Sequence, residues 1–335
     1  MKSWWNRALG VLMTLVLATA LAACGSTNDA QTSNEAGTQP DTTQQTEQSQ
    51  QTTSEDLKTQ YPLTVTDATG EEFTFEKAPE RIISVSPAET ESLFAIGLDQ
   101  EIVGVSDYAD YPEAATTKAK MGGITKPNEE AIIAAKPDIV FTGISMGEDV
   151  VKKFRDLGIT IFKVDPKTYD DVIANIELYG QITDHQAEAK QVVDNLKQTR
   201  EEVQAAVAGL SEKKKVYIEF SPGWTVGSGE FMNEIVEIAG GENVAASEQG
   251  WVQINEEHII QSNPDVILYA AGLVDYDTNK PLEDIIKGRS GWNNIKAIQD
   301  NQVIGIEQNI LSRPGPRVAE GLKAVAKAIY PDLFK

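Results

Sequence analysis

The spacing of apolar residues changes several times along this chain, and each change marks an element. Residues 63–75 alternate apolar and polar around Asp67-Ala68-Thr69-Gly70, a hairpin pattern with glycine at the turn. Short, mostly apolar runs at 81–85, 102–105, 160–164, 216–220 and 303–306 read as buried strands of parallel sheets. Segments with helical spacing lie between them. Residues 86–96 are closed by Gly97, 149–157 by Gly158 and 231–239 by Gly240; 169–182 and 318–329 complete the set. Such alternation predicts parallel sheets covered by helices.

One pattern occurs twice. Asn128-Glu129-Glu130-Ala131-Ile132-Ile133-Ala134-Ala135-Lys136-Pro137-Asp138 is matched by Asn255-Glu256-Glu257-His258-Ile259-Ile260-Gln261-Ser262-Asn263-Pro264-Asp265, and three apolar residues follow each copy. In each, the Asn can cap a helix by accepting an orphan N–H. The two Glu suit the positive end of the helix dipole, and the residue before Pro is biased out of the helical region. Each copy is therefore a short helix feeding a central strand. Two copies this far apart imply a duplicated lobe.

Between the copies, residues 184–210 form a long helical stretch with Ile182, Ala189, Val192, Val193, Leu196, Val203 and Val207 on its apolar side. At 1.5 Å per residue it spans about 40 Å, enough to pass from one lobe to the next. The expected fold class is α/β: two Rossmann-like lobes with central parallel sheets, joined by one long inter-lobe α-helix. The expected divisions are 1–23, a leader; 24–60, a tether; 61–183, the N-terminal lobe; 184–210, the inter-lobe helix; and 211–335, the C-terminal lobe.

Composition sharpens this picture. The 335-residue chain is 41% hydrophobic, enough for two cores. Its formal net charge of −22 argues against nucleic-acid binding, since no basic field is available for phosphates. Lys2 and Arg7 precede an apolar run too short to span a membrane comfortably, and the run ends in Leu21-Ala22-Ala23-Cys24-Gly25. Cys24 is the only cysteine, so no disulfide forms within the chain. From Ser26 to about Gln60 the residues are mostly Gln, Thr, Ser, Asn and Asp, which bury too little surface to fold.

Catalytic constellations are hard to build from what remains. There are two histidines, His185 and His258, which rules out a three-histidine metal cage, and neither lies in a setting that suits a catalytic triad. Gly227-Ser228-Gly229 lacks the Lys-Ser/Thr of a phosphate loop. The expectation is a protein without enzymatic activity, catalytic residues or metal ligands. Ligands of open α/β folds bind beyond the carboxyl ends of the strands. Tyr108, Trp224, Trp251, Arg313 and Arg317 lie in loops there and are the candidate ligand-binding residues, the aromatics offering flat faces and the arginines bidentate recognition of anions. Trp292 reads as core.

The chain resembles the lipid-anchored substrate-binding proteins of ABC importers for iron complexes and cobalamin. The resemblance runs from about residue 61 to the end. It rests on residues 81–91, on 103–112 (Val-Gly-Val-Ser-Asp-Tyr-Ala-Asp-Tyr-Pro), on both repeats, on Gly240-Gly241-Glu242-Asn243 and on Arg313-Pro314-Gly315-Pro316-Arg317. It implies that the segment around Cys24 is a lipobox, with Cys24 lipidated and the protein held outside the cytoplasm on the cell membrane. It implies docking of Glu130 and Glu257 onto an ABC permease dimer with its ATPase subunits, by a monomer. It implies a cobalt- or iron-containing chelate as ligand and no resident cofactor. Tyr108 and Trp251 match corrinoid contacts of the cobalamin branch. Ile124 and Gly143 stand where that branch tends to place Trp, and Asn309 where it has Asp, while Arg313 and Arg317 would suit an anionic ferric siderophore or haem. The rival readings are a sensor or adhesin that kept the fold and lost transport, and an extracytoplasmic hydrolase.

Overall fold

The computed structural model describes residues 57–334; the leader, Cys24 and most of the tether lie outside the described residues. A hairpin of β1 (Leu63–Thr66) and β2 (Glu72–Phe75) opens the N-terminal lobe. β3 (Ile82–Ser84), α1 (Pro87–Ala95), β4 (Ile102–Val105), β5 (Ala119–Lys120), α2 (Glu129–Ala135), β6 (Ile139–Thr142), α3 (Glu148–Asp156) and β7 (Ile161–Lys163) follow. The five strands from β3 onward form an all-parallel sheet ordered β5-β4-β3-β6-β7. The first strand is central and the order reverses beside it, which opens a crevice at the strand ends between β3 and β6.

α4 (Tyr169–Thr183) packs on this lobe. It starts at a capping box in which Thr168 and Asp171 exchange side-chain bonds with each other's backbone N–H. Asp184, in the left-handed region, ends it and turns the chain into α5 (Gln186–Val207). Ala189, Val193, Leu196, Thr199 and Val203 form the buried stripe of α5 at spacings of three and four. Its 22 residues span about 33 Å. α5 packs on α1 and α4, and also on α6 (Phe231–Ile238) and α11 (Val318–Ile329) of the other lobe. One continuous core accordingly joins Ile82, Phe141 and Tyr179 to Val216, Phe231 and Leu322.

The second lobe repeats the plan. β8 (Lys215–Glu219) and β9 (Trp224–Val226) precede α6; β10 (Glu242–Asn243), β11 (Trp251–Gln253), α7 (Glu256–Ser262), β12 (Val266–Ala271), α8 (Leu282–Gly288), α9 (Lys296–Gln299), β13 (Val303–Glu307) and α10 (Gln308–Ser312) lead on to α11. The parallel sheet is ordered β10-β8-β12-β13.

Two expectations need correction. Trp224 and Trp251, read as loop residues, lie on paired strands: β9 pairs antiparallel with β11 so that Trp224 faces Gln253 and Val226 faces Trp251. Long-range pairing of this kind leaves no local signal. The end of the expected tether is also part of the folded body. The Thr59 N–H donates to the Asp184 carboxylate at 2.8 Å, its hydroxyl donates to Gln181 O, and Lys58 pairs with Asp184 at 3.2 Å. These polar residues are held by hydrogen bonds to the α4–α5 junction, not by apolar burial.

Candidate ligand cleft and docking faces

The carboxyl ends of both sheets face a common cleft of about 670 Å³. From the N-terminal lobe, Ile144 and Ser145 follow β6, and Asp165 and Lys167 follow β7. From the C-terminal lobe come Phe220 and Ser221 after β8, Trp224, Met232, Trp251, and Ser312 at the end of α10. Another hollow, of about 450 Å³, is lined by Pro79, Glu80 and Asp184 near the opposite, amino-terminal end of the first sheet.

One wall is aromatic. Trp251 packs edge-on against Phe220 at 4.8 Å between centroids and against Phe231 at 6.3 Å. Trp224 projects from the paired strand and stays 39% exposed. The β9–β11 ribbon thus presents both tryptophans from one rigid unit. Lys167 reaches across to Glu230, the N-cap of α6, at 3.1 Å, and lies 3.3 Å from Asp165. Burial lowers the pKa of Lys167, but these two carboxylates outweigh it and hold the ammonium above its ordinary value.

Tyr108, Arg313 and Arg317 are placed elsewhere. Tyr108 is 62% exposed on the loop beyond the carboxyl end of β4, apart from the residues that line the 670 Å³ hollow. Both arginines are held inside the protein. Arg317 forks onto the buried Glu91 of α1 through Nε and Nη2, each at 2.8 Å; Arg313 Nη1 reaches Glu91 at 2.8 Å and Asp110 at 2.6 Å. Arg317 also stacks 4.1 Å from the Tyr111 ring centroid. Burial raises the Asp110 carboxyl, yet the hydrogen bond and charge of Arg313 hold it below its ordinary value. Glu91 and Asp110 belong to one lobe and the arginines to the other, so this cluster is a clasp between lobes. Sequence reasoning gave the arginines an anionic ligand because their carboxylate partners lie more than two hundred residues away.

Gly143 immediately precedes the cleft residue Ile144, and a Cβ there would lie 2.6 Å from Glu89 Oε2, so a larger residue at this position would require the buried Glu89 side chain to shift. Burial raises the Glu89 carboxyl, and Oε2 has no hydrogen-bond partner among the described residues. Lys163 is buried nearby and donates to Gly143 O at 3.0 Å.

The two repeats fold alike. Asn128 accepts from Ala131 N and Asn255 from His258 N, both at 3.1 Å, and the C-caps Lys136 and Asn263 have φ of 49° and 48°. Asp138 accepts from Arg81 N and Asp265 from Lys215 N, both at 2.9 Å, which fastens each unit to the neighbouring strand. The paired glutamates differ from each other. Glu129 is bound by Lys153 at 2.5 Å, and Glu256 lies 3.5 Å from Arg289. Glu130 and Glu257 are exposed, and no cation among the described residues is within ion-pair distance of either. Ile133 and Ile260, one turn further along, are also exposed.

The remaining residues have structural partners. His185 occupies the N-cap position of α5 without a side-chain capping bond, its Nδ1 2.8 Å from Thr183 O, and His258 Nε2 lies 2.8 Å from Val244 O. Trp292 is fully buried. Of the cleft residues, only Trp224 and Trp251 were candidates; the others, Phe220, Ser221, Ile144 and Asp165 among them, were missed. Phe220, Ile144 and Asp165 each lie one or two residues beyond a strand end, which was the available signal.

Two α/β lobes pinned along a helix and closing on an aromatic cleft define a ligand-binding protein of the two-lobed type. The chain belongs to the periplasmic binding protein family, whose model matches residues 82–310. An uncharacterized ABC transporter substrate-binding lipoprotein of Bacillus subtilis is 32% identical, the match covering 98% of this chain and 99% of that one. Two solved structures are similar. A possible iron-binding (periplasmic solute-binding) protein of Staphylococcus epidermidis has a TM-score of 0.64 at 31% identity, covering 76% of this chain and all of that one. The periplasmic vitamin B12-binding protein BtuF of Vibrio cholerae has a TM-score of 0.64 at 26% identity, covering 75% and 96%.

Proposed function

We propose that this protein is the extracytoplasmic binding component of an ABC importer. It is anchored through lipidated Cys24, captures a flat metal chelate between its lobes and delivers it to a permease dimer with ATPase subunits. The observation that carries the reading is the duplicated docking helix. In each copy one glutamate has an internal cation, while Glu130 and Glu257 are left for a partner. A partner with two equivalent cationic sites would be met once by each lobe, and exposed charge of this kind sets orientation and on-rate more than raw affinity. The exposed Ile133 and Ile260 add an apolar contact beside each charge.

The pairing of the cations in and near the cleft favours a corrinoid over a polyanionic ferric siderophore or haem. Arg313 and Arg317 are neutralised by Glu91 and Asp110, and Lys167 by Asp165 and Glu230. A strongly anionic ligand would have to break one of these pairs, whereas a flat, near-neutral macrocycle needs only the Trp224–Trp251 wall. The described residues contain no group of three or more His, Cys, Asp or Glu placed to hold a metal ion. In this reading the metal is cargo that arrives inside its own chelate.

The test is uptake of labelled cyanocobalamin by host cells carrying Glu130→Gln, Glu257→Gln or both. Each single change is expected to lower uptake about tenfold while cyanocobalamin affinity is unchanged, as for exposed charges at an interface. Unchanged uptake in the double variant would leave a ligand sensor or adhesin as the better reading.

A further inference from the structure

We infer that Arg289, a residue outside the cleft, positions the Trp224 ribbon and ties it to the docking helix of the C-terminal lobe. The chain of contacts starts at Glu219, the fully buried last residue of β8. Its carboxylate receives four donors: Tyr217 Oη at 2.8 Å, Gly223 N at 2.9 Å, and the Arg289 fork through Nη1 at 2.5 Å and Nη2 at 2.6 Å. A carboxylate has about four acceptor positions, so none is spare. The guanidinium plane also lies over Trp292, 4.6 Å from the ring centroid.

Gly223 is the residue before Trp224. Its N–H is held by Glu219, and its carbonyl accepts from Ile254 N at 3.0 Å. Ile254 in turn immediately precedes Asn255, the N-cap of α7. The remaining face of Arg289 looks outward, with Nε 3.5 Å from Glu256 in the first turn of α7. Arg289 therefore touches the acidic start of the docking helix on one side, and on the other the carboxylate that sets the backbone just ahead of a cleft tryptophan.

The N-terminal lobe has no such link. Lys153, the cation on Glu129, is largely exposed and makes no other ion pair among the described residues. Given the docking reading above, on which this consequence rests, a permease cation approaching Glu256 and Glu257 competes with Arg289 for Glu256. The resulting shift passes through Glu219 to Trp224. Such coupling is reciprocal: occupancy of the cleft must then alter docking at α7 by the same factor.

The test is hydrogen–deuterium exchange on the whole protein, which needs neither ligand nor permease. Failure of the transport reading therefore leaves it intact. Arg289→Lys keeps the charge and loses the bidentate fork. It is expected to speed amide exchange across residues 223–225 about tenfold, the scale of one lost hydrogen bond, while β12 is unchanged. Glu256→Gln, an exposed change that does not threaten folding, is expected to speed the same amides about two- to threefold. Glu129→Gln in the matching position is expected to leave the Tyr108 loop unaltered. The proposal is overturned if exchange at 223–225 is unchanged in Glu256→Gln. It is equally overturned if Arg289→Lys raises exchange uniformly over the lobe, since that is the mark of a merely structural ion pair.

Discussion

The two lobes carry the same helix on different foundations. α2 and α7 share their Asn cap, their left-handed C-cap and the Asp that pins the next strand. Their surroundings have diverged. In the N-terminal lobe the first glutamate rests on an exposed lysine, and the strand ends nearby are polar: Glu89, Thr142 and Lys163 are all buried there. In the C-terminal lobe the first glutamate rests on a buried arginine, and the matching region supplies the aromatic wall. On the docking reading proposed above, what stayed alike is the part offered to a two-fold partner, and what diverged is the part that faces the cleft.

The largest effect is expected where the lobes are joined. Glu91→Ala leaves Arg313 and Arg317 without their shared carboxylate and should cost about 3–5 kcal/mol, the usual consequence of removing one side of a buried ion pair. Urea unfolding followed by circular dichroism measures it, and a loss below about 1 kcal/mol would show that the clasp behaves as an exposed ion pair.

The next effect separates the cleft contributions of the lobes. Trp251→Ala should weaken cyanocobalamin binding by about 30-fold or more, as for a buried aromatic anchor, and Tyr108→Ala by only a few-fold. Isothermal titration of the two variants decides it, and equal losses would place the ligand further into the N-terminal lobe. Trp251→Ala should lower the unfolding midpoint, since Trp251 packs on Phe220 and Phe231, but affinities are compared at a temperature where both variants are folded.

The smallest effect concerns Glu89, which belongs to the first lobe alone. Burial raises its carboxyl above the ordinary 4.5, so the charged form is disfavoured in the folded state. The associated stability is present below pH 4.5 and is lost as pH rises through the raised value. Glu89→Gln should therefore match wild type near pH 4 and gain on it toward pH 8. Thermal melts across that range give the sign directly, and a variant that gains on acidification would reverse it.

Much of this was legible because it is local. Asn128, Asn255 and the Pro-Asp pairs announced the repeated helices, and the apolar runs announced the strands. The 3.6-residue stripe of 184–210 announced the helix between lobes, although α5 starts at Gln186, because Asp184 turns the chain before it begins, and ends at Val207. Trp224 and Trp251, expected in loops beyond the sheets, do line the cleft. What stayed hidden depends on pairing at a distance. β9 becomes a strand only against β11, and Arg313 and Arg317 are neutralised by carboxylates from the opposite lobe. Arg289 gave no signal at all, since its partners Glu219 and Glu256 are brought together only by the fold.

The most direct test of the central claim, a flat chelate held on the tryptophan wall between the lobes, is a fluorescence titration of the protein with cyanocobalamin. Saturable quenching is expected, and it should be greatly weakened in the Trp224→Phe/Trp251→Phe double variant when binding is checked independently by equilibrium dialysis. Saturable binding of full strength in that double variant, or no binding of cyanocobalamin, cobinamide, haem or any ferric siderophore, would contradict it.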